Sequence, residues 1–562
     1  MDERNFLDEI GPEIRELVSG YIRAESFTHS PGEKDAERFF LDYFRGQPYW
    51  KNHPELLGSR PIPEDPFDRA AAFAMVRGAG PDTIVMIHHN DVVTVEDFKR
   101  LRPFAFSPEL LEEELKRIKD SFSPEIQADL EAGTYLYGRG VCDMKGGGAI
   151  QMALLRRYGA LVEEDAEALS GNLIVLAVPD EENLSAGMRT AVLLLAELRD
   201  RYGLKYQLMI NSEPHQRKDP EVGVLSTGSV GKLMPFVYVR GYLAHVGKVF
   251  EGFNPVNLLS AIVRKTEVNM QLSDVLGKEA APPPTWLFCR DQKLGYDVSI
   301  PLSAAGCLSV LTLNQTPATL LEKIRHLCQE AFQQVLEDMN RNYSQYLQAT
   351  GQPQRTLPWQ VKVTDFAQLC QEARAVHGSK FETGYQAKMA QLEESIRTNQ
   401  RSLLECNFEL VEYVYGYVDD LSPRVIYGLV PPYYPNVSNQ LFCDLSPAIQ
   451  NLSGLLSDFA WNRFGQRYDT ENFYTGISDL SYSSLSGSEE VLRALQDSMP
   501  LWGKIYYVPA EEIESISMPC INIGPWGKDF HKLTERVLKQ DLYERTPQIL
   551  LHAVRLVLEG SR

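Results

Sequence analysis

One stretch decides how this chain is interpreted: Tyr137-Gly138-Arg139-Gly140-Val141-Cys142-Asp143-Met144-Lys145-Gly146-Gly147-Gly148. It places glycines around a single acidic residue, Asp143, and the apolar run at residues 149–155 predicts the start of a helix. Because glycine has no Cβ, such a turn can approach a ligand closely. An ordinary glycine-rich loop, in which Asp143 caps the helix, explains the stretch equally well on its own. The neighbouring segments therefore decide between the two interpretations.

Composition and charge narrow the class of protein. The 562 residues are 44% hydrophobic and 23% charged, which is typical of a globular protein with two or three domains. A formal net charge of -20 disfavours nucleic acid and anionic membranes as partners. No apolar run approaches the roughly 20 residues of a membrane span, and residues 1–17 lack a secretory core. We therefore expect a cytoplasmic protein that contacts neither nucleic acid nor membrane.

Strands alternate with helices through the first part of the chain. Short apolar, largely β-branched runs predict buried strands at residues 83–87, 172–178 and 206–210. Longer amphipathic segments between these runs predict helices. This alternation favours a mainly parallel sheet that is covered on both faces. We therefore expect an α/β fold, with a mixed, mainly parallel sheet in the first domain and an inserted α+β domain.

The pattern of the sequence changes near residue 225, where an alternating segment predicts antiparallel strands. We predict four regions: the first part of the first domain at 1–225, the α+β domain at 226–345, a connector with an inserted helical arm at 346–420, and the C-terminal part of the first domain at 421–562. Three further predictions concern single elements: a strand at 424–430 that returns to the first sheet, a strand at 297–301, and a final helix at 530–559.

Polar residues collect where the predicted strands end. They are His89, Asp91, Asp143, Glu181, Glu182, Glu213 and His531. Ligand sites of open α/β sheets lie outside the carboxyl ends of the strands. Each of these residues has an ordinary alternative as a core, capping or solvent residue. Their occurrence together, each after a predicted strand, favours a functional site.

Imidazole and carboxylate ligands indicate a metal site of a particular kind. They suit Zn²⁺, Mn²⁺ or Co²⁺, whereas the eight cysteines contain no Cys-x-x-Cys pair for a thiolate site. Asp143 is the natural bridge between two ions about 3.5–4 Å apart. His89 and Asp91 share one face of an extended chain, so Asp91 can accept the second imidazole N–H. Glu181 and Glu182 face opposite ways, which permits one ligand and one general base.

Four motifs resemble those of a known family. They are His89-Asn90-Asp91-Val92-Val93, Gly138-Arg139-Gly140-Val141-Cys142-Asp143-Met144-Lys145-Gly146-Gly147, Asp180-Glu181-Glu182 and Glu213-Pro214. The chain thereby resembles the M20 metallopeptidases. Its size, the helical segment near 366–410 and the string Pro431-Pro432-Tyr433-Tyr434-Pro435 resemble most the arginine-utilisation branch of that family, called RocB. The resemblance implies a zinc-peptidase-like catalytic domain, formed by the first and last of the four regions, with an inserted lid or dimerisation domain.

The resemblance also implies a role for each site residue. His89, Asp143 and Glu213 would hold one metal ion, and Asp143, Glu182 and His531 the other. Glu181 would be the general base, and Asp91 would be a further catalytic residue that orients His89. His215 is an alternative to Glu213. Residues 241–245 resemble the lid motif Gly-x-x-x-His, so His245 would stabilise the oxyanion in the active site of a partner subunit. A homodimer through the lid domain follows as an expectation.

These roles predict hydrolysis of an amide bond in a small peptide or N-acyl amino acid with a free carboxylate. Two divalent metal ions are expected, zinc first, with cobalt or manganese as alternatives. The resemblance to the arginine-utilisation branch points to arginine metabolism, and Arg240 and Arg424 are two candidates for binding the substrate carboxylate. Two alternatives remain: a leucine-aminopeptidase-like dinuclear hydrolase, which would lack the lid motif, and a non-catalytic metal-binding regulator.

Overall fold

The computed structural model describes residues 6, 7 and 9–559. The strands in chain order are β1 (Leu57–Pro61), β2 (Ala70–Arg77), β3 (Asp82–His89), β4 (Tyr135–Tyr137), β5 (Asn172–Val178), β6 (Lys205–Asn211), β7 (Val222–Ser226), β8 (Gly228–Ser229), β9 (Gly231–Leu233), β10 (Pro235–Arg240), β11 (Val275–Leu276), β12 (Glu279–Ala280), β13 (Thr285–Asp291), β14 (Ser303–Thr312), β15 (Val363–Asp365), β16 (Arg424–Leu429), β17 (Val437–Ser438), β18 (Arg467–Glu471), β19 (Cys520–Asn522), β20 (Gly527–Lys528) and β21 (Arg536–Leu538).

The helices in chain order are α1 (Ile10–Tyr21), α2 (Gly32–Arg45), α3 (Pro48–Asn52), α4 (Pro108–Arg117), α5 (Pro124–Ala132), α6 (Lys145–Glu164), α7 (Ala186–Tyr202), α8 (Pro255–Thr266), α9 (Pro317–Ala349), α10 (Phe366–Arg397), α11 (Leu403–Tyr415), α12 (Pro447–Gln450), α13 (Leu452–Phe464), α14 (Ser488–Ser498), α15 (Ala510–Ser515) and α16 (Thr546–Leu558). Among the described helices, none is both long enough and apolar enough to cross a membrane.

The first of two compact units contains the chain up to Val230, Pro435–Ser486 and the residues from Glu511 onward. Its main sheet has eight strands in the order β1-β2-β5-β3-β6-β19-β7-β18. Neighbours β5, β3, β6 and β19 are parallel, whereas β2 is antiparallel to both β1 and β5. The expected mixed, mainly parallel α/β sheet is confirmed.

The centre of this sheet is buried on both faces. All seven residues of β5 are buried, because its sequence is an almost unbroken apolar run. Helix α6 packs against β2, β3 and β5, and α7 packs against β1, β2 and β5. Each large aliphatic side chain buried here contributes roughly 1.5–3 kcal/mol relative to exposure. The sheet is therefore a rigid support for the residues that follow its strands.

The second unit contains Gly231–Tyr434 and Gly487–Ala510. Its six-stranded sheet has the order β13-β14-β10-β16-β15, with β9 paired to β14. All its pairs are antiparallel except β15 with β16. Helices α8 and α9 pack together, and α8 also lies against β10 and β14. The expected insertion of an α+β domain is confirmed.

The predicted return of residues 424–430 to the first sheet is wrong. This segment forms β16, which pairs with β10 and β15 in the sheet of the second unit. All six residues of β16 are buried. A short apolar run predicts a buried strand, but it carries no information about which sheet the strand joins.

The helices predicted as an inserted arm belong to the core of the second unit. Helix α10 changes direction at Gly378, which has a φ of +49°. Buried side chains of α10 and α11 pack with Phe236 and Tyr238 of β10. These helical side chains are Phe366, Leu369, Ala373, Phe381, Leu392, Cys406, Phe408, Leu410, Val411, Val414 and Tyr415. The segment therefore covers a face of the second sheet.

Two other predicted elements are wrong. Residues 297–301 form no strand, and only Ser299 makes an isolated bridge, with His245. The final helix covers Thr546–Leu558 rather than 530–559, because residues 536–538 pair with β4 and β20 as strand β21. Pro547 lies in the first turn of the helix, where a missing N–H has no cost.

Candidate active site

Three neighbouring parallel strands, β5, β3 and β6, finish at the same edge of the main sheet. Strand β3 ends at His89, β5 is followed by the acidic turn at residues 180–182, and β6 is followed by Glu213. Since the carboxyl ends of adjacent parallel strands converge, these side chains meet at one place. The sheet topology thus assembles most of the predicted site.

Asp143 comes from the turn between β4 and α6. Gly140 in this turn has a φ of +77°, which glycine adopts without the strain of a side chain. Helix α6 begins at Lys145, earlier than the expected start at residue 149. A Cβ on Gly147 would lie 2.1 Å from the carbonyl oxygen of Ser212, just after β6. Glycine at position 147 therefore allows α6 to pack closely against the chain after β6, and the conformation of the turn does not require it.

The two carboxylate oxygens of Asp143 contact different histidines. Its Oδ1 lies 3.0 Å from His89 Nε2, and its Oδ2 lies 3.1 Å from His531 Nε2. His531 Nε2 also lies 2.9 Å from Glu182 Oε1, and His89 Nε2 lies 3.5 Å from Glu213 Oε1. Asp143 is therefore shared by two groups of potential metal ligands.

These groups have the composition that a divalent metal site requires. One contains His89, Asp143 and Glu213, the other contains Asp143, Glu182 and His531, and in each the ligand atoms lie within 4.8 Å of one another. A third such group contains His89, Glu181 and Glu182. Imidazole nitrogens and carboxylate oxygens without thiolates fit zinc, manganese or cobalt. Several carboxylates crowded together also carry negative charge that cations would neutralise.

Burial raises the pKa of each of the three glutamates in the ligand groups. It raises the pKa of Glu213 to about 7, and the charge of Asp143 adds to this rise. Burial and the charge of Asp143 also raise the pKa of Glu182. The pKa of Glu181 lies well above its usual value, because of burial and then of neighbouring carboxylates that include Glu182 and Asp479. A carboxyl group with a raised pKa is suited to exchanging a proton near neutral pH.

The pKa of Asp143 shifts in the opposite direction from the pKa values of these glutamates. Burial disfavours its charged form, but hydrogen bonds from His531 and His89 hold the pKa of Asp143 below its usual value. The same bonds to Asp143 and Glu182 raise the pKa of His531 to about 10. Negative charge therefore concentrates on Asp143, the residue that both ligand groups share.

Asp91 is not a member of the ligand groups, but it holds His89 and the acidic turn in place. Its backbone carbonyl lies 3.1 Å from His89 Nδ1, and its Oδ1 lies 3.4 Å from the same nitrogen. The carboxylate of Asp91 accepts hydrogen bonds from the backbone N–H groups of Glu181 and Glu182, at 3.1 and 3.2 Å, and from Thr28 Oγ1 at 3.0 Å. Asp91 thus fixes the imidazole and the acidic turn together.

A buried arginine supports the acidic turn from behind, and the sequence analysis missed it. Arg69 donates to Asp180 Oδ1 at 2.9 Å and to Glu33 Oε2 at 2.8 Å. Glu33 Oε1 in turn accepts the backbone N–H of Asp180 at 2.8 Å. Arg69 lies at the end of a Pro-rich passage in the sequence, where no pattern pointed to a partner.

The neighbouring histidines are engaged elsewhere. His88 contacts Tyr21 Oη at 3.1 Å and Gln151 Oε1 at 3.0 Å, which makes it a core residue. His215, the alternative to Glu213, contacts the carbonyl oxygen of Gly524 at 2.9 Å through Nδ1, and its Nε2 accepts from Arg217 at 3.1 Å. Among the described residues, the candidate ligand groups include neither His88 nor His215.

His531 reaches the cluster from a turn between β20 and β21 rather than from the start of the last helix. Its φ is +63°, and about half of its side chain is exposed. Four residues later, the buried Glu535 contacts the Asp143 turn, and burial raises the pKa of Glu535 to about 7. Glu535 was not predicted from the sequence, because its Oε1 binds backbone N–H groups, which leave no pattern in a sequence.

A cavity of about 490 Å³ opens onto the cluster. Its lining includes the exposed Lys218 and the half-buried Glu471. The other lining residues are Asp143, Glu181, Glu182, Glu213, His215, Gln216, Arg217, Val224, Tyr474, Thr475, Gly476, Ile477, Phe530 and His531. A small peptide or an acylated amino acid fits a space of this size.

His245 belongs to the second unit, where it is exposed. Its Nδ1 accepts the backbone N–H of Gly247 at 3.1 Å, which starts a short turn of 3₁₀ helix. Arg240 and Arg424 of the same unit form ion pairs, with Glu412 and Glu372 respectively, each at 2.6 Å. Both candidate carboxylate-binding arginines therefore already have acidic partners.

Comparison with known proteins identifies the family. The model of Peptidase family M20/M25/M40 matches residues 89–546, which include every residue of the two ligand groups. The chain belongs to this peptidase family. The chain is 26% identical to protein RocB of Bacillus subtilis over 98% of its own length and 95% of that protein. It is 28% identical to the uncharacterized protein YqjN of the same organism, over 98% and 97% of the two chains.

Solved structures agree with the M20/M25/M40 assignment at the level of the fold. The crystal structure of a tripeptidase from Staphylococcus aureus aligns with a TM-score of 0.52 at 10% identity, over 98% of this chain and 99% of that one. The resemblance to M20 proteins and to RocB that the motifs indicated is confirmed. As a member of the M20/M25/M40 family with a candidate metal site, the protein is a metal-dependent peptidase or amidohydrolase.

Proposed function

We propose that this protein hydrolyses an amide bond in a small peptide or N-acyl amino acid, at a site for two divalent metal ions. The observation that carries the proposal is the position of Asp143, whose two oxygens lie 3.0 and 3.1 Å from histidines in different ligand groups. A carboxylate that belongs to two ligand groups, with one oxygen beside each histidine, is suited to bridging two ions. The family assignment favours this enzyme class over a leucine-aminopeptidase-like hydrolase.

His89, Asp143 and Glu213 would hold one ion, and Asp143, Glu182 and His531 the other. Zinc is our first proposal because its preferred ligands are those present, and cobalt or manganese would suit the same donors. Such ions act as Lewis acids that lower the pKa of water and polarise a carbonyl group. Asp91 would keep the second nitrogen of His89 occupied, which fixes the orientation of the ring.

Glu181 is the proposed general base. Its side chain lines the cavity, and its backbone is fixed by the bond from its N–H to Asp91. In the proposed reaction, the Glu181 carboxylate accepts a proton from the attacking water and later donates it to the leaving amine nitrogen. The raised pKa of Glu181 favours the first transfer, since a carboxylate at its ordinary pKa is a weak base near neutral pH.

Lys218 is the proposed contact for the free carboxylate of the substrate. It lines the cavity, and among the described residues no carboxylate oxygen lies within 4.0 Å of its ammonium nitrogen. Neighbouring Arg217, by contrast, is paired with Asp541 at 2.7 Å. The link to arginine metabolism stays a proposal that rests on the motif resemblance, and arginine-containing substrates belong in any test of specificity.

His245 remains a proposed catalytic residue that would stabilise the oxyanion in a partner subunit of a homodimer. Its support is the motif at residues 241–245 and its exposed position on the second unit. We expect His245→Ala to lower turnover while the metal content of the protein stays unchanged. Unchanged turnover in a variant confirmed to be dimeric would remove His245 from the mechanism, and a wild-type protein that is monomeric in solution and active would remove the homodimer as well.

The proposed function is tested by measuring release of free amino acid from a panel of dipeptides, tripeptides and N-acyl amino acids, including arginine derivatives. We expect at least one substrate to be cleaved, activity to disappear with a chelator, and activity to return when zinc, cobalt or manganese is added. Protein that contains metal but leaves the whole panel intact would contradict the proposal and favour the non-catalytic regulator.

A further inference from the structure

Arg139, in the glycine-rich stretch, has no role in the proposed chemistry, yet its side chain is almost completely buried. Its Nη1 donates to Glu535 Oε2 at 2.5 Å, and its Nη2 donates to the carbonyl oxygen of Thr94 at 3.2 Å. The guanidinium carbon lies 5.3 Å from the centre of the Phe98 ring. Burying an arginine is costly unless its charge is paired, and Glu535 supplies that charge.

Glu535 is fully buried and binds the turn that carries Asp143. Its Oε1 accepts the backbone N–H groups of Gly140 at 2.8 Å, Cys142 at 3.3 Å and Asp143 at 3.4 Å. Its backbone carbonyl also accepts the N–H of Gly138 at 3.2 Å. One residue thus satisfies four of the backbone donors that this tight turn points inward.

Glu535 also belongs to the turn that follows His531. It lies four residues after His531, and its N–H donates to the carbonyl of Lys532 at 3.0 Å, which closes the turn that follows His531. Glu535 therefore ties the Asp143 turn to the His531 turn, although the two are almost 400 residues apart in sequence. These two turns supply two of the three residues in the second ligand group.

We propose that Glu535, paired with Arg139, is a positioning residue that assembles the second metal position, formed by Asp143, Glu182 and His531. This inference rests on the proposed two-metal function. Without the Glu535 carboxylate, the turns that carry Asp143 and His531 lose their common support, whereas His89 and Glu213 stay fixed by the ends of β3 and β6. Loss of Glu535 therefore weakens the second metal position more than the first.

The neighbouring residue provides a matched control. Arg536 is also buried, and its guanidinium pairs with Asp129 at 2.8 Å. Asp129→Asn removes the charged partner of Arg536, which lies next to Glu535 in the chain. The described hydrogen bonds of the Asp129 side chain come from Lys528 and Arg536 and not from the Asp143 turn. A general loosening of this segment affects Glu535→Gln and Asp129→Asn alike, whereas the proposed positioning role affects only the first.

The test is a titration of metal-free protein with Co²⁺, followed by the visible absorption of the bound ion and by elemental analysis. We expect two ions per chain in the wild type and in Asp129→Asn. In Glu535→Gln we expect one ion that is bound nearly as tightly as in the wild type and a second ion bound about 10- to 100-fold more weakly, because Asp143 serves both positions but only the second also depends on the His531 turn. Arg139→Met should have the same selective effect, and the double variant should be little worse than either single variant.

Two wild-type-like sites in folded Glu535→Gln would overturn the inference while leaving the proposed function intact. Equal weakening of both sites, or the same defect in Asp129→Asn, would also overturn it. If Glu535→Gln does not fold, Arg139→Met decides the question by the same criteria. Wild-type protein that binds no second ion would instead contradict the proposed function, so the two failures are distinguishable.

Discussion

At the scale of single residues, neighbouring glutamates in the acidic turn differ in what they contact. Both line the cavity, but Glu182 Oε1 lies 2.9 Å from His531 Nε2, whereas Glu181 belongs to neither of the two ligand groups that share Asp143. Both share support from the Asp91 carboxylate through their backbone N–H groups. Changing one of them therefore alters a single role without removing the support of the turn.

Glu181→Gln should keep the metal content of the wild type and lower turnover by roughly 10²- to 10⁴-fold, because the amide cannot accept a proton from water. Glu182→Gln is the matched control and should instead lose metal affinity. Elemental analysis and steady-state kinetics distinguish the two outcomes. Wild-type turnover by Glu181→Gln would remove Glu181 as the general base.

Lys218→Ala should raise the KM for substrates with a free carboxylate by about 2- to 5-fold and leave kcat unchanged. The effect is small because Lys218 is exposed, and exposed ion pairs contribute only about 0.2–1 kcal/mol. The same substrates with an amidated carboxylate serve as a control and should show no change. An equal effect on both substrate series would contradict a carboxylate contact.

Metal affinity should rise with pH between about 6 and 8. In the metal-free chain, Glu213 has a pKa raised to about 7 and His531 one raised to about 10, so both groups hold protons that a metal ion must displace at low pH. Each displaced proton changes affinity about 10-fold per pH unit below its pKa. Dissociation constants that are the same at pH 6 and pH 8 would contradict these ligands.

At the scale of elements, the position of α6 depends on the absence of a side chain. A Cβ on Gly147 would lie 2.1 Å from a carbonyl oxygen and 2.9 Å from the Cβ of Ser212. Gly147→Ala should therefore destabilise the protein by about 1–3 kcal/mol and weaken metal binding through movement of the Asp143 turn.

Gly454 is the matched control for Gly147, because it lies in the first turn of α13 and a Cβ there meets nothing within 4 Å. Gly454→Ala should be neutral or slightly stabilising, since alanine favours a helix more than glycine does. Urea unfolding of both variants gives the comparison. Equal stability of the two variants would show that α6 has room to move.

The elements show where a sequence is informative and where it is not. Apolar runs such as residues 172–178 predicted β5 exactly, because burial on both faces leaves a continuous apolar pattern. The same pattern at 424–430 predicted a strand but not its sheet, since partners are chosen by tertiary contacts. The helix predicted at 530–559 included His531, which instead lies in a turn before strand β21.

At the scale of the whole molecule, residues far apart in sequence form one site because strand ends converge. His89, Glu182 and Glu213 follow three adjacent parallel strands, so sequence order and sheet topology sufficed to predict their proximity. The supporting residues were not predictable in this way. Glu535 acts on backbone N–H groups and Arg69 on a turn 111 residues away, and neither contact has a signature in the sequence.

Metal titration of the metal-free protein tests the shared role of Asp143 most directly. Calorimetry with zinc, checked by elemental analysis, should give two ions per chain for the wild type, with hydrolysis reaching its plateau as the second ion binds. Asp143→Asn should lose tight binding of both ions, because each proposed site uses one of its oxygens. A wild type that binds a single ion, or an Asp143→Asn variant that binds two with wild-type affinity, would contradict a carboxylate shared by two metals.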